Sequence, residues 1–203
     1  QLHRDIVELQ WQTAQRASAA ALGYIDGFHE HLETLAFTRT MKSMDAEAQS
    51  IDLEALLRIE VEAKEASVVS AGGRETARIV RDTPAGIGVG ELRDRSAEPC
   101  FQKAIAGQDC HSQLALSVEG EPLLVMTSPI FRDAQVVGVV RVVADFQRLV
   151  ETLSSIQLGS SGIVYVVDSQ GRVLAHPDAS RISSGSNLFA RPAVAQVAKG
   201  RPV

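Results

Sequence analysis

The chain has 203 residues, of which 45% are hydrophobic and 22% charged, with a formal net charge of -5 at pH 7. That is enough apolar mass to bury a sizeable core, as one large domain or two small ones, and a soluble globular fold is expected. The acidic balance removes the basic surface that nucleic-acid binding requires, and 4% aromatic residues are too few for a base-stacking platform, so no nucleic-acid partner is expected.

From the N-terminus, Leu2, Ile6 and Leu9 form one apolar stripe, and Ala21, Ile25, Phe28, Leu32 and Leu35 form another. Spacings of three and four mark a long helix. The stripes are out of register and Gly23 and Gly27 fall inside the pattern, so the helix either bends or presents two faces to two partners, one of them the sheet, or is a single core helix. His29-Glu30-His31 has i, i+2 spacing that sends the two imidazoles to different faces, and reads as solvated helix surface. Asp45 to Ser50 is polar and lacks periodicity, and a shorter helix is expected over 51–64 with Leu53, Leu56, Leu57 and Val61 on one side.

Strands over 66–71 and 74–81 flank the hairpin signal Gly72-Gly73. Asp82 to Gly90, with Pro84, Gly86, Gly88 and Gly90, reads as a flexible loop without the dinucleotide-binding spacing. A short helix over 97–106 ends at Gly107. Three strands over 110–118, 121–131 and 135–144 then form an antiparallel meander, and Asp145 stands where it would cap a helix carrying Phe146, Leu149, Val150 and Leu153. The two cysteines, Cys100 and Cys110, lack zinc-ribbon spacing; they are either two separate small apolar residues or a disulfide of an oxidising compartment. No apolar run reaches the roughly 18–20 residues of a membrane span, and the most hydrophobic stretch, Val136 to Val143, is interrupted by Arg141. The chain also opens at Gln1 without initiator Met or signal-peptide features, as an excised piece would.

Gly162 to Asp178, GIVYVVDSQGRVLAHPD, sets two short strands around a turn in which Gly171 takes positive φ. This string, with Gly185-Ser186-Asn187-Leu188 after it, resembles the opening of the membrane-proximal lobe of double Cache domains, the extracytoplasmic sensor domains of bacterial receptors. Arg95 to Gly107, RSAEPCFQKAIAG, and Glu121 to Val140, EPLLVMTSPIFRDAQVVGVV, resemble the membrane-distal lobe. The resemblance implies an α+β fold. A long N-terminal helix over 1–50 would pack on a PAS-like antiparallel-sheet lobe over 51–157, followed by a truncated second Cache lobe over 158–203 that lacks the return strands of the first. It further implies a periplasmic part of an inner-membrane histidine kinase, nucleotide cyclase or chemoreceptor, anchored by segments absent from this chain, with a homodimer through the N-terminal helix.

Aligning Pro99 with the family's proline sets Glu98 where amino-acid-binding members carry the arginine that grips a ligand carboxylate. Counting back from Leu149 sets Val143 where they carry the aspartate that receives the ligand ammonium. A free α-amino acid is therefore not the expected ligand. By strand alternation Val139, Arg141, Val143 and Asp145 share one face, so Arg141 points toward the same pocket. It either pairs internally with Glu98 or grips an organic anion such as a carboxylate, with Gln113, Ser117 or Thr127 setting orientation and Val143 lining the site. The other functional class is a module with an empty pocket that serves dimerisation or docks a protein. The sequence holds no nucleophile elbow, H-E-x-x-H, EF-hand loop or P-loop. No catalytic residue, metal or cofactor is expected, and His176 reads as a loop anchor.

Overall fold

The computed structural model describes residues 25–83, 86–116 and 122–146 without interruption, and isolated positions before 25 and between 165 and 195. The chain forms two compact units, Ile25–Ala115 with Leu123–Asp145, and Gln1–Tyr24 with Leu116–Pro122 and Phe146–Val203.

In the first of these units, helical residues 25–36 (α1) bury Phe28, Leu32 and Ala36. These belong to the second apolar stripe; Leu2, Ile6, Leu9 and Ala21 lie outside the described residues. His29 is also buried, at 7% exposure, while His31 is exposed. The expectation of a solvated surface therefore fails for His29, because it lies one position from Phe28 on the flank of the buried stripe.

After the short helix α2 (Arg39–Ser43), helix α3 (Ala46–Ile59) begins at the segment expected to be irregular. Asp45 is its N-cap and accepts from the amides of Glu47 and Ala48, both at 3.0 Å. That side chain satisfies two of the amides a helix start leaves open, and the periodic residues begin only a turn later. Gln49, fully buried, is held by donating to Met41 O at 3.3 Å and accepting from Thr76 Oγ1 at 3.0 Å. The helix stops at Ile59, short of the expected 64, because strand β1 (Ala63–Ser70) already starts there. Arg81 ties the junction together, donating to the carbonyls of Leu57, Glu60 and Ala63.

Strands β2 (Glu75–Thr83), β3 (Gly86–Val89), β4 (Cys110–Leu116), β5 (Pro122–Arg132) and β6 (Gln135–Asp145) complete a six-stranded sheet in the order β3-β2-β1-β6-β5-β4, and helix α4 (Pro99–Ile105) precedes β4. The loop expected over 82–90 is in part the edge strand β3, which pairs antiparallel with β2. Its glycines hid it, since glycine weakens a strand. At Gly90, just beyond it, a Cβ would lie 2.5 Å from Arg78 Nη1 and 3.0 Å from Val80 Cγ1. The absence of a side chain there is what lets this segment run over Arg78.

The two faces of the sheet differ. Ile79 and Arg81 share a face by alternation, and the Arg81 bonds put α3 on it, together with Ala66, Val68, Val140 and Val142. The opposite face carries Glu65, Ser67, Arg78, Val139, Arg141 and Val143, and α4 covers part of it through Phe101 and Ala104, which pack on Val69 and Val139. Asp145 is the last residue of β6, with an oxygen 3.3 Å from Lys64 Nζ; the helix it was expected to cap lies outside the described residues. No described helix is long and apolar enough to cross a membrane.

The other unit contains the expected hairpin, β7 (Val166–Val167) paired antiparallel with β8 (Val173–Ala175), with Gly171 at φ +77° between them, and one turn of helix, α5 (Ser180–Ser183). His176 anchors the loop as expected. Its Nδ1 accepts the Asp178 N–H at 2.8 Å, and its ring lies 5.9 Å from that of Tyr165.

Candidate functional site

Arg141 lies on the α4 face of β6, between Val139 and Val143, with Ser67 of β1 and Thr127 of β5 as its ladder neighbours. Its side chain is only 6% exposed. A guanidinium so buried needs paired carboxylates. It donates through Nε to Glu98 Oε2 at 2.7 Å, through Nη2 to Glu98 Oε1 at 3.3 Å and through Nη1 to Glu65 Oε1 at 2.5 Å. The fork on Glu98 is the internal pair that the sequence left open as an alternative to anion binding.

This pair is one edge of a larger network. Arg95 donates to Glu75 Oε1 at 2.8 Å, Glu65 Oε1 at 2.9 Å and Glu98 Oε1 at 2.7 Å. Arg78 donates to Glu65 Oε2 at 2.5 Å and to the Glu91 carbonyl at 3.1 Å. Glu75, with no side-chain exposure, also accepts the Arg93 amide at 2.8 Å. Three glutamates therefore face three arginines, and their formal charges cancel. Glu65 is the hub, meeting all three guanidiniums. Glu98, at the N-terminus of α4, is the most exposed of the six at 29% and forms no side-chain capping bond to its own helix.

Burial pushes the Glu65 carboxyl up, but the hydrogen bond from Arg78 and the fields of Arg141, Arg78 and Arg95 outweigh it and hold the group below its ordinary value. A carboxyl depressed in the folded state gives stability that is present above its unfolded pKa and lost as pH falls through the folded one. Stability is accordingly expected to decline below about pH 4.5, and more steeply than in Glu65→Gln; urea titrations at stepped pH check this, and equal slopes would count against it.

The other expected ligand residues divide. Thr127 is fully buried and its hydroxyl donates to the Cys100 carbonyl at 3.1 Å, joining β5 to α4. Val143 packs with Val125 against Cys100 and Cys110. The Gln113 side chain and Ser117 lie outside the described residues. Cys100 and Cys110 form a disulfide, which decides between the two readings of the cysteines and staples α4 to the start of β4. Sequence reasoning missed Glu65, Glu75, Arg78 and Arg95. For Glu65, Glu75 and Arg78, charged residues inside strands otherwise rich in alanine and valine were the available signal, because a sheet covered on both faces has no wet side for them; Arg95, in the segment before α4, carried no such signal.

Two buried polar atoms beside the network have no hydrogen-bond partner among the described residues, Ser67 Oγ and Arg78 Nε. Their residues are directly opposed across the β1–β2 ladder.

The family model of the Cache domain, in its double form, matches residues 1–201. The chain belongs to the Cache domain family. Solved Cache structures share the fold at low identity. The ligand-binding domain of the Pseudomonas aeruginosa PAO1 amino acid chemoreceptor PctC, in complex with GABA, is 18% identical with a TM-score of 0.68, over 94% of this chain and 81% of that one. The sensory domain of the Campylobacter jejuni chemoreceptor Tlp3 is 14% identical with a TM-score of 0.70, over 93% and 78%. The extracellular domain assigned to a histidine kinase, mmHK1S-Z2, is 18% identical with a TM-score of 0.77, over 97% and 84%. No curated protein matches the chain. Double Cache domains are non-catalytic, extracytoplasmic sensor modules of membrane receptors, and this Cache domain is one of them. A buried disulfide suits that compartment.

Proposed function

We propose that this Cache domain senses a small organic anion bound on the α4 face of the sheet, with Arg141 as the group that grips it. The observation that supports the reading is the fork between Arg141 and Glu98: Glu98 is a carboxylate, the most exposed member of the network, and it holds the guanidinium by a bidentate contact of the kind a ligand carboxylate can make. An incoming carboxylate that displaces Glu98 keeps the charge balance and the bidentate geometry. Ser67 Oγ and Arg78 Nε offer a further acceptor and donor nearby. With Glu98 and Val143 where amino-acid binders carry their ligand-gripping residues, the ligand is a carboxylate other than an α-amino acid. The lobes proposed for this are 51–157, distal, and 158–203, proximal.

The test is a thermal-shift screen of small carboxylates. A ligand that binds only the native state raises the melting temperature by mass action. The expected result is a hit that Arg141→Ala abolishes and Glu98→Gln strengthens by about tenfold, since the variant competes less well for the guanidinium. No hit in a broad acid library, or a hit unchanged in Arg141→Ala, overturns the reading. It would favour a module that signals through protein contacts alone, to which the internal charge balance also gives support.

A homodimer through the N-terminal helix is proposed from the stripe Leu2, Ile6 and Leu9. Light scattering is expected to show a dimer for the wild type and a monomer for Leu9→Glu; a wild-type monomer would refute it.

A further inference from the structure

A second cluster of ligating side chains lies apart from the arginine–glutamate network. His29 and Glu33 stand one turn apart on α1 and so share a face, and Asp109 comes from the segment between α4 and β4. One potential ligand atom from each of the three lies within 4.8 Å of the others. His29 Nε2 is 3.5 Å from Asp109 Oδ1, and His29 Nδ1 is 3.9 Å from Glu33 Oε1. The Asp109 oxygen is buried and accepts no hydrogen bond among the described residues.

We infer that His29, Glu33 and Asp109 form a binding site for a divalent transition-metal ion of the zinc type. Zinc bonds imidazole nitrogen and carboxylate oxygen at about 2.0–2.2 Å, and two such ligands at a tetrahedral ion are about 3.4 Å apart. The observed 3.5 Å between His29 Nε2 and Asp109 Oδ1 has the length of such an edge. An imidazole gives one ion only one of its nitrogens, here Nε2; Glu33 now approaches the other, Nδ1, and its half-exposed side chain, at 48%, has the freedom to swing to the Nε2 side as third ligand, leaving the fourth position to water. Charge favours a dication as well, since a neutral imidazole with two carboxylates carries -2, which one such ion cancels. The mixed nitrogen and oxygen donors select ions of the zinc, nickel and copper group over magnesium. Because Asp109 adjoins Cys110, which is bonded to Cys100 in α4, the ion would tie α1 to the stapled α4–β4 connection. The plain alternative, an imidazolium resting between two carboxylates, needs no metal and predicts none.

The 203-residue chain, stripped with chelator, is titrated with zinc chloride by calorimetry and by thermal melting, with magnesium chloride as contrast. The expected result is one tight equivalent of zinc, a raised melting temperature, and no response to magnesium. The isosteric variants Asp109→Asn and Glu33→Gln are each expected to weaken zinc binding by at least the roughly 10–100-fold that loss of an outer-shell partner costs, while metal-free circular dichroism confirms that both fold. His31→Gln, on the exposed side of the same helix, should bind as the wild type does. Absence of a stoichiometric zinc response, or affinity unchanged in both isosteric variants, overturns the site.

Discussion

Replacing Glu65 with alanine is expected to destabilise the first unit by about 3–5 kcal/mol, the cost of breaking a buried ion pair by removing one partner. Glu65 receives hydrogen bonds from Arg141, Arg95 and Arg78, and its side chain is 13% exposed. Without it Arg78 has only its bond to the Glu91 carbonyl and a 3.9 Å approach to Glu75, and three cations face two carboxylates. Glu98→Ala should cost less. That side chain is more exposed, so water can screen the guanidiniums it leaves. Native-state hydrogen exchange of β1 and β6 amides reports the unit directly. A loss for Glu65→Ala no larger than for Glu98→Ala would show that Glu65 is not the hub.

The strands around Gly72-Gly73 and the meander from Cys110 to Asp145 were legible because turn residues and apolar runs alternate cleanly there. Strand β3 was not. Gly86, Gly88 and Gly90 carry a loop signature, and the reason for at least one of them is the Arg78 side chain, which lies far off in sequence. The start of α3 was missed for a different reason: a capping aspartate followed by a polar first turn contains no periodic residue to count. Arg141 was legible as a buried cation because it interrupts an apolar strand, and Glu98 as its partner because resemblance aligned the two. The remaining carboxylates and guanidiniums come from β1, β2 and the segment before α4, and only the sheet order β2-β1-β6 brings them together. Pairing of that kind is set by topology, not by local pattern. His29 illustrates the same limit, since spacing alone sets an imidazole on a helix face but does not say which face a loop from residue 109 will cover.

Removing the disulfide, as Cys100→Ala with Cys110→Ala, is expected to cost about 3 kcal/mol, the loop-closure entropy of a staple of this span. The bond closes a segment with a sequence separation of 10. Both residues are buried, at 0% and 5% exposure, and pack with Val125 and Val143, so alanine rather than serine keeps an unpaired hydroxyl out of the core. The effect should reach the network. Glu98 is the N-cap of α4 and Cys100 is the second residue of that helix, so the staple helps fix where Glu98 meets Arg141, alongside the hydrogen bond from Thr127 to the Cys100 carbonyl. In the double variant the amides of α4 should therefore lose exchange protection well before those of the β1–β6 ladder, whose register does not depend on the staple. Thiol titration under denaturing conditions with and without reductant verifies the bond in the wild type. Uniform loss of protection across α4 and the sheet would show instead that the disulfide acts only on the global unfolding equilibrium and has no part in holding Glu98 against Arg141.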